Sequence, residues 1–333
     1  MLSYLRTLFR FQESGLLLVI LALGLLLTAF SGRVRIPLFE RQADGTRQRV
    51  FLTNDAGERT PAFTEKNKFL NAQNLAQLAK DTSFTAVMAV GMAVVIISGG
   101  IDLSVGAIYA LASVLGALAL RHYGPEGLAA GTSPIVGVLL GMGVCVGTAT
   151  LCGLATGSLI VALGVHPFII TLGGMAILRG IAFVVTKGQS VGGFPATFRE
   201  FVRYEVEDGL SIVPMLVMFI VLILGWIFLS RLAAGRRVYA IGGNELAARF
   251  SGIRVERVKL GVYLISGLTA GIAALLGVVL GALIIQMISS GIVILGIDQN
   301  YSQIIIGSVV IAAVVLDNFN TWLAKRRLTA KAS

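Results

Sequence analysis

The chain has 333 residues, of which 56% are hydrophobic and only 13% charged, and its mean hydropathy is +0.86. A water-soluble domain of this length needs far more polar surface to cover its core, so that class is excluded. The formal net charge of +10 collects beside apolar blocks instead of forming a basic face, which removes nucleic acid as a partner.

In chain order the first apolar block is Leu16–Phe30. It follows Arg6 and Arg10 as the core of a signal peptide would, but it is long for one, and Ser31-Gly32-Arg33 is a poor cleavage site. It is read as a retained first span. Residues 33–81 form an external polar loop, and turn-formers such as Asn54-Asp55-Ala56-Gly57 allow a short hairpin within Arg33–Asn67. Its nine Lys/Arg resist an external placement; its six Asp/Glu and its length soften that objection. Apolar blocks follow at about Thr82–Ser98, Val105–Leu120, Pro134–Leu163, Phe168–Thr186 and Ile212–Leu229. Counted from a cytoplasmic N-terminus, these spans return the chain to the cytoplasm at Ser230. There the loop 230–259 carries Arg231, Arg236, Arg237, Arg249, Arg254, Arg257 and Lys259 against Glu245 and Glu256, as a cytoplasmic loop should. Leu260–Ile297 and Ile304–Leu316 are apolar again, with Asp298 and Asp317 at the block ends, and the basic tail 318–333 is assigned to the cytoplasm.

Blocks without alternating hydrophobicity are helices, not barrel strands. The expected fold is an all-α membrane protein: one transmembrane domain over 1–333, a polytopic helical bundle of about eight to nine apolar spans. Gly137, Gly141, Gly143 and Gly147 in one block, and Gly267, Gly271 and Gly277 in another, suit close helix packing. Cys145 and Cys152 share a helical face and are read as small buried hydrophobes. No H-E-x-x-H, G-x-S-x-G, intramembrane aspartate pair or metal-ligand cluster occurs, so neither catalysis nor a bound cofactor or metal is expected.

Two segments carry more information. In Ile97-Ser98-Gly99-Gly100-Ile101-Asp102-Leu103-Ser104-Val105-Gly106, a glycine pair breaks a long apolar run. Asp102 or Ser104 can then accept hydrogen bonds from the free N–H groups of the next helix. In Gly235–Ile253, a short helix starts near Asn244 as its cap and ends at Gly252. With Phe69–Leu75, His166–Gly174, Arg179-Gly180 and Ser290–Gly296 in the same order, the chain closely resembles the ribose/xylose/galactoside-type permeases of ABC sugar importers over about residues 68–333.

That resemblance implies a bacterial inner-membrane permease with a second permease subunit, identical or not, two cytoplasmic ABC ATPase subunits and a periplasmic sugar-binding protein. ATP would be bound by the separate subunit, consistent with the lack of a G-x-x-x-x-G-K-[ST] loop here. The ATPase-coupling loop would comprise Gly235, Gly242, Gly243, Asn244, Glu245, Ala247, Ala248 and Gly252. Gly99, Gly100, Asp102, Ser104, Phe168 and Thr171 are candidates for the translocation pathway or its helix break; capping and bundle packing are the competing readings. His166, which has no acidic partner in sequence, reads as a loop or capping residue before Pro167.

Two departures from the family stand out. The insert around Val34–Lys66 is longer than usual, and Ala274–Val279 runs straight into Leu280–Ile285 where about 40 residues are expected. The missing segment leaves a degenerate, non-transporting paralogue open, beside the separate alternative of a secondary transporter or channel working without ATP. A single long helix through Leu260–Ile285 is the expectation that keeps the basic tail inside.

Overall fold

The computed structural model describes residues 14–277, apart from 38, 42–46, 54–58, 126, 130, 132, 188–190, 192, 196 and 199–211. The basic tail, the junction near 279, Gly277's packing and the Ser290–Gly296 motif lie outside the described residues or side chains. The described residues divide into two compact units, one up to Leu75 and one from Ala76.

In the first unit, helix α1 (Ser14–Phe30) leads into an arm of short strands, the exception to an all-α reading. Strand β1 (Arg33–Pro37) pairs antiparallel with β6 (Phe63–Asn67), Arg33 opposite Asn67. Between them, β2 (Phe39–Arg41) pairs with β3 (Arg47–Arg49), and β4 (Phe51–Thr53) with β5 (Arg59–Pro61). Asn67 closes the stem. Its amide donates to the Thr28 carbonyl at 2.8 Å, while its side-chain oxygen accepts from Ser31 Oγ and from the amides of Phe69 and Leu70. The following Asn71 accepts from the Asn74 amide at 2.8 Å, an N-cap that starts helix α2 (Ala72–Ile97). The polar loop expected to run to residue 81 thus ends at Asn71. Polar side chains such as Gln73, Lys80 and Asp81 hid the helix's beginning from a reading by apolar blocks.

The second unit holds the rest of α2 and helices α3 (Val105–His122), α4 (Pro134–Leu163), α5 (Pro167–Thr186), α6 (Ile212–Arg231), α7 (Ala233–Gly243), α8 (Glu245–Phe250) and α9 (Val255–Gly277). Among the described residues, six helices are long and apolar enough to cross a membrane: α2 to α6 and α9. With 17 residues, α1 is shorter than these.

Packing follows the glycines, because van der Waals contact, not hydrophobic exclusion, holds helices together in lipid. Helix α9 lies against α4 where Gly153 and Gly267 meet; a Cβ on Gly267 would stand 2.9 Å from the Gly153 Cα. A Cβ on Gly271 would crowd Val146 and Ala149. Across α3 and α4, Gly116 abuts buried Cys145, and Gly137 and Gly141 abut Tyr123 and Leu120. Among the described residues Gly143 and Gly147 meet nothing within 4 Å, so they make no close helix contact there. They fall on the side of α4 away from this seam, whereas Gly153 and Gly157, further along the helix, face α9. Val94 and Val95 of α2, Ile160 of α4, Val238 of α7, and Val262 and Tyr263 of α9 form one buried cluster.

The connections sort to two ends. Turns 98–104 and 164–166 and the segment 232–254 lie together, as contacts below establish. At the opposite end, Leu120 packs on Phe198, and Gly124 abuts Gly193. From α2 to α6 the connections thus alternate between the two ends.

Candidate functional site

The segment between α6 and α9, expected as a loop with one short helix, holds two helices. In α7, Gly235, Val238 and Ile241 recur every three residues and are buried, while Arg236 and Arg237 face out. Gly235 is required by the sharp fold onto α6, since a Cβ there would strike the carbonyl oxygen of Phe228. Asn244 breaks the helices in an extended conformation, and its side-chain oxygen accepts from the Ala247 amide at 2.9 Å. At the other end Gly252 takes φ +81°; its N–H reaches the Arg249 carbonyl and the Ile253 N–H reaches that of Ala248. This double bond with a left-handed residue is a Schellman stop, and Ile253 packs on the buried trio Ile241, Ala248 and Val255. The expected cap and terminator are both in place.

Helix α8 is strapped to the start of α9. Arg249 meets Glu256 at 2.6 Å, Lys259 meets Glu245 at 2.8 Å, and Glu245 lies 3.8 Å from Arg249. These pairs are about half exposed, so water screens them, and together they chiefly fix orientation. With Ala248 turned inward, the outward face presents Ala247, Leu246 (64% exposed) and Phe250 (87% exposed). Leu246 and Phe250, four apart on one helical face, did not stand out in the sequence. Their signal is a pair of large apolar residues inside an otherwise polar, basic stretch.

The glycine break forms the seat of α7. Gly99, at φ +77°, ends α2 with its N–H on the Ile96 carbonyl, and the Gly100 N–H reaches that of Val95, a second Schellman stop. Gly242 of α7 lies directly on this turn: a Cβ there would overlap the carbonyl oxygen of Ile97. A Cβ on Gly99 would in turn meet the Gly242 Cα at 3.8 Å. Gly243, by contrast, has open space around it.

Asp102 is fully buried. Its Oδ1 accepts from the Ser104 amide (2.9 Å) and Ser104 Oγ (2.6 Å), and its Oδ2 accepts from Ser266 Oγ on α9 (2.9 Å). Burying this carboxylate is costly, and three donors offset that cost. Ser104 occupies the cap position of α3, yet its hydroxyl donates to Asp102 and makes no capping bond. Tyr263 of α9 adds a fourth link across the turn, donating to the Ile101 carbonyl at 3.1 Å. Tyr263, Ser266 and Thr269, spaced by three on an apolar helix and all buried, are the polar stripe that sequence reading passed over.

The remaining candidates lie on α5. His166 caps it, Nδ1 accepting from the Phe168 amide at 3.3 Å, with Pro167 at the first helical position. Phe168 is 44% exposed, whereas Thr171 is buried with its hydroxyl on the Phe168 carbonyl. Gly164, at φ +61°, ends α4 beside this entrance. A crevice of about 180 Å³ runs between the 164–167 turn and the strapped helices, lined by Val161, Val165 and Pro167 on one side and by Arg249, Glu256 and Lys259 on the other. The structure therefore joins the two informative segments to each other. Neither Phe168 nor Thr171 hydrogen-bonds to the Asp102 network, although Gly174, one turn beyond Thr171, approaches Ser104. Among the described residues, no group of three or more His, Cys, Asp or Glu could hold a metal ion.

Six long apolar helices, with a basic helix pair seated on a glycine turn at one end, make this a polytopic helical membrane protein. Residues 74–276 match the family described as "Branched-chain amino acid transport system / permease component", and the chain belongs to that family. Its relatives include the D-allose transport system permease protein AlsC of Escherichia coli (strain K12), 35% identical across 75% of this chain and 84% of that protein. The Ribose import permease protein RbsC of the same strain is 32% identical, across 75% of this chain and 87% of its own. The Fructose import permease protein FrcC of Rhizobium meliloti is 26% identical, across 78% and 80%. The match to AlsC runs over 288 residues, and 75% of this 333-residue chain is about 250, so gaps of about 38 residues fall on this chain's side. That total is close to the length expected to be missing from the C-terminal half. No solved structure matches the chain.

Proposed function

We propose that this chain is the permease subunit of an ATP-driven importer of a monosaccharide, resident in a bacterial inner membrane, with residues 235–252 as the docking element for a separate ABC ATPase. Family membership and the sugars named for the relatives support the transport assignment. One observation carries the docking assignment: a short helix, capped, stopped and strapped at both ends, holds Leu246, Ala247 and Phe250 away from the protein's own core. Such apolar side chains on a rigid helix suit a hydrophobic groove on a partner. Chemistry belongs to that partner, which binds the ATP; a periplasmic binding protein and a second permease subunit complete the assembly. The span count is proposed as eight to nine, from six long helices, α1, and the apolar blocks beyond residue 277. Asp102, held by three internal donors, acts as a strut of the helix break, and Phe168 and Thr171 remain the pathway candidates on α5.

Co-purification tests the docking assignment. Ala247→Glu combined with Phe250→Ala leaves the permease in the membrane and removes the ATPase from it, an effect of at least tenfold in retained partner for a central apolar anchor. Undiminished ATPase retention would end the docking assignment. Ala248 is not a suitable target, because it is buried against Ile241 and Val255 and its substitution would unfold the docking element itself.

A further inference from the structure

Between the docking element and the spans there is a continuous set of contacts. Gly242, at the end of α7, rests on the backbone of Ile97. Ile97 leads into the turn 98–104, whose Ile101 carbonyl and Asp102 carboxylate are each held by a hydroxyl of α9. Helix α9 packs through Gly153 and Gly267 against α4, and through Ala273 against α2 and α6. The turn is thus clamped from two sides, backbone-on-backbone from α7 and by two hydrogen bonds from α9.

We propose that Ser266 is a positioning residue for transport: with Asp102 it locks the 98–104 turn to α9, so that a displacement of the docking element is passed to α9 as one step. This inference rests on the ATP-driven permease reading above. The physical argument concerns stiffness. Asp102 Oδ1 is used within its own turn, on Ser104, and shapes that turn. Oδ2 is used across the helix interface, on Ser266 alone. The two oxygens therefore divide the work, one holding local geometry and one linking helices. A carboxyl oxygen buried away from water makes that link strong and short-ranged. Tyr263, one turn earlier on α9, lies against Gly100, where a Cβ would approach its hydroxyl to 3.0 Å; larger residues at 100 would spread the same seam.

Ser266→Ala separates the two roles. It removes the link while the Asp102–Ser104 bonds persist, and it takes away volume without adding any. Ser266→Thr restores the hydroxyl, and Tyr263→Phe removes the second tether alone. The whole assembly, permease with its ATPase and binding protein in proteoliposomes, is assayed for ATP hydrolysis and for uptake of labelled D-ribose, D-allose and D-fructose. Sugar moved per ATP hydrolysed falls about tenfold in Ser266→Ala, in line with the loss of a buried hydrogen bond. It falls less in Tyr263→Phe, which leaves the Asp102 link in place, and is recovered in Ser266→Thr, with complex yield equal in all. A merely structural role would lower yield, hydrolysis and uptake in proportion and leave their ratio fixed; that outcome, or an unchanged ratio at full yield, overturns the inference. Should the native assembly move none of the three sugars at the expense of ATP, the failure lies in the permease reading itself, and this inference falls with it.

Discussion

Gly242→Ala tests the seat of α7 with a single methyl group. The added carbon would overlap the Ile97 carbonyl oxygen and lie 2.9 Å from the Ile97 carbonyl carbon. Both neighbours are backbone, so no side-chain rotation relieves the clash; either the end of α7 withdraws or the turn 98–104 deforms. Overpacking of this kind costs about 1–3 kcal/mol, which in an equilibrium between seated and unseated α7 is about 5- to 150-fold. Gly243→Ala is the matched control, one residue away with nothing within 4 Å of its Cβ. At that site a methyl group is neutral, or favourable by up to about 1 kcal/mol through helix propensity. Thermal unfolding of the detergent-purified permease and uptake by the reconstituted assembly both read the difference. The expected result is a lowered melting temperature and impaired uptake for Gly242→Ala only. Equal behaviour of the two variants, or damage confined to Gly243→Ala, would refute the account of Gly242 as a contact glycine.

The α4–α9 seam predicts a second glycine pair. Gly267→Ala, which would push against the Ala149 carbonyl and Gly153, costs about 1–3 kcal/mol of bundle stability, whereas Gly143→Ala in open space leaves the unfolding curve where it was. The strap on α8 predicts a smaller, salt-sensitive effect. Arg249→Ala breaks two half-exposed ion pairs and lowers the melting temperature slightly at low ionic strength, a difference that added salt shrinks; a loss insensitive to salt would contradict the ion-pair account.

Apolar blocks and punctuation residues made much of this arrangement legible. Asn244 and Gly252 bound α8 because capping chemistry is local: an amide needs an acceptor within a turn, and a left-handed residue needs freedom from a Cβ. Gly99 is readable for the same reason. Which alanine of α8 faces inward was not readable. A helix of six residues has too few turns to show a stripe, and Ala247 and Ala248 differ only in what the rest of the chain brings against them. Helix α7 carried its periodicity at Gly235, Val238 and Ile241, but glycines and arginines gave that stretch the composition of a loop. Likewise the glycines of α4 are alike in sequence and unlike in space. Position along the helix assigns Gly137 and Gly141 to α3, Gly153 and Gly157 to α9, and Gly143 and Gly147 to neither.

The two segments most distinctive in the sequence are separated by more than a hundred residues, and each has a sufficient local explanation as a helix stop. Local chemistry leaves one residue of each unexplained. Gly242 sits inside α7 at an ordinary helical φ, where alanine would serve the helix better. Asp102 has one oxygen more than its own turn uses. Both surpluses find their use in the tertiary structure, Gly242 against Ile97 and Asp102 Oδ2 against Ser266. A docking element that merely bound a partner would need neither, since its cap, its stop and its ion pairs already hold its shape. Contacts that instead tie it, through a rigid turn, to the polar stripe of α9 are what the transfer of motion from a separate ATPase would require.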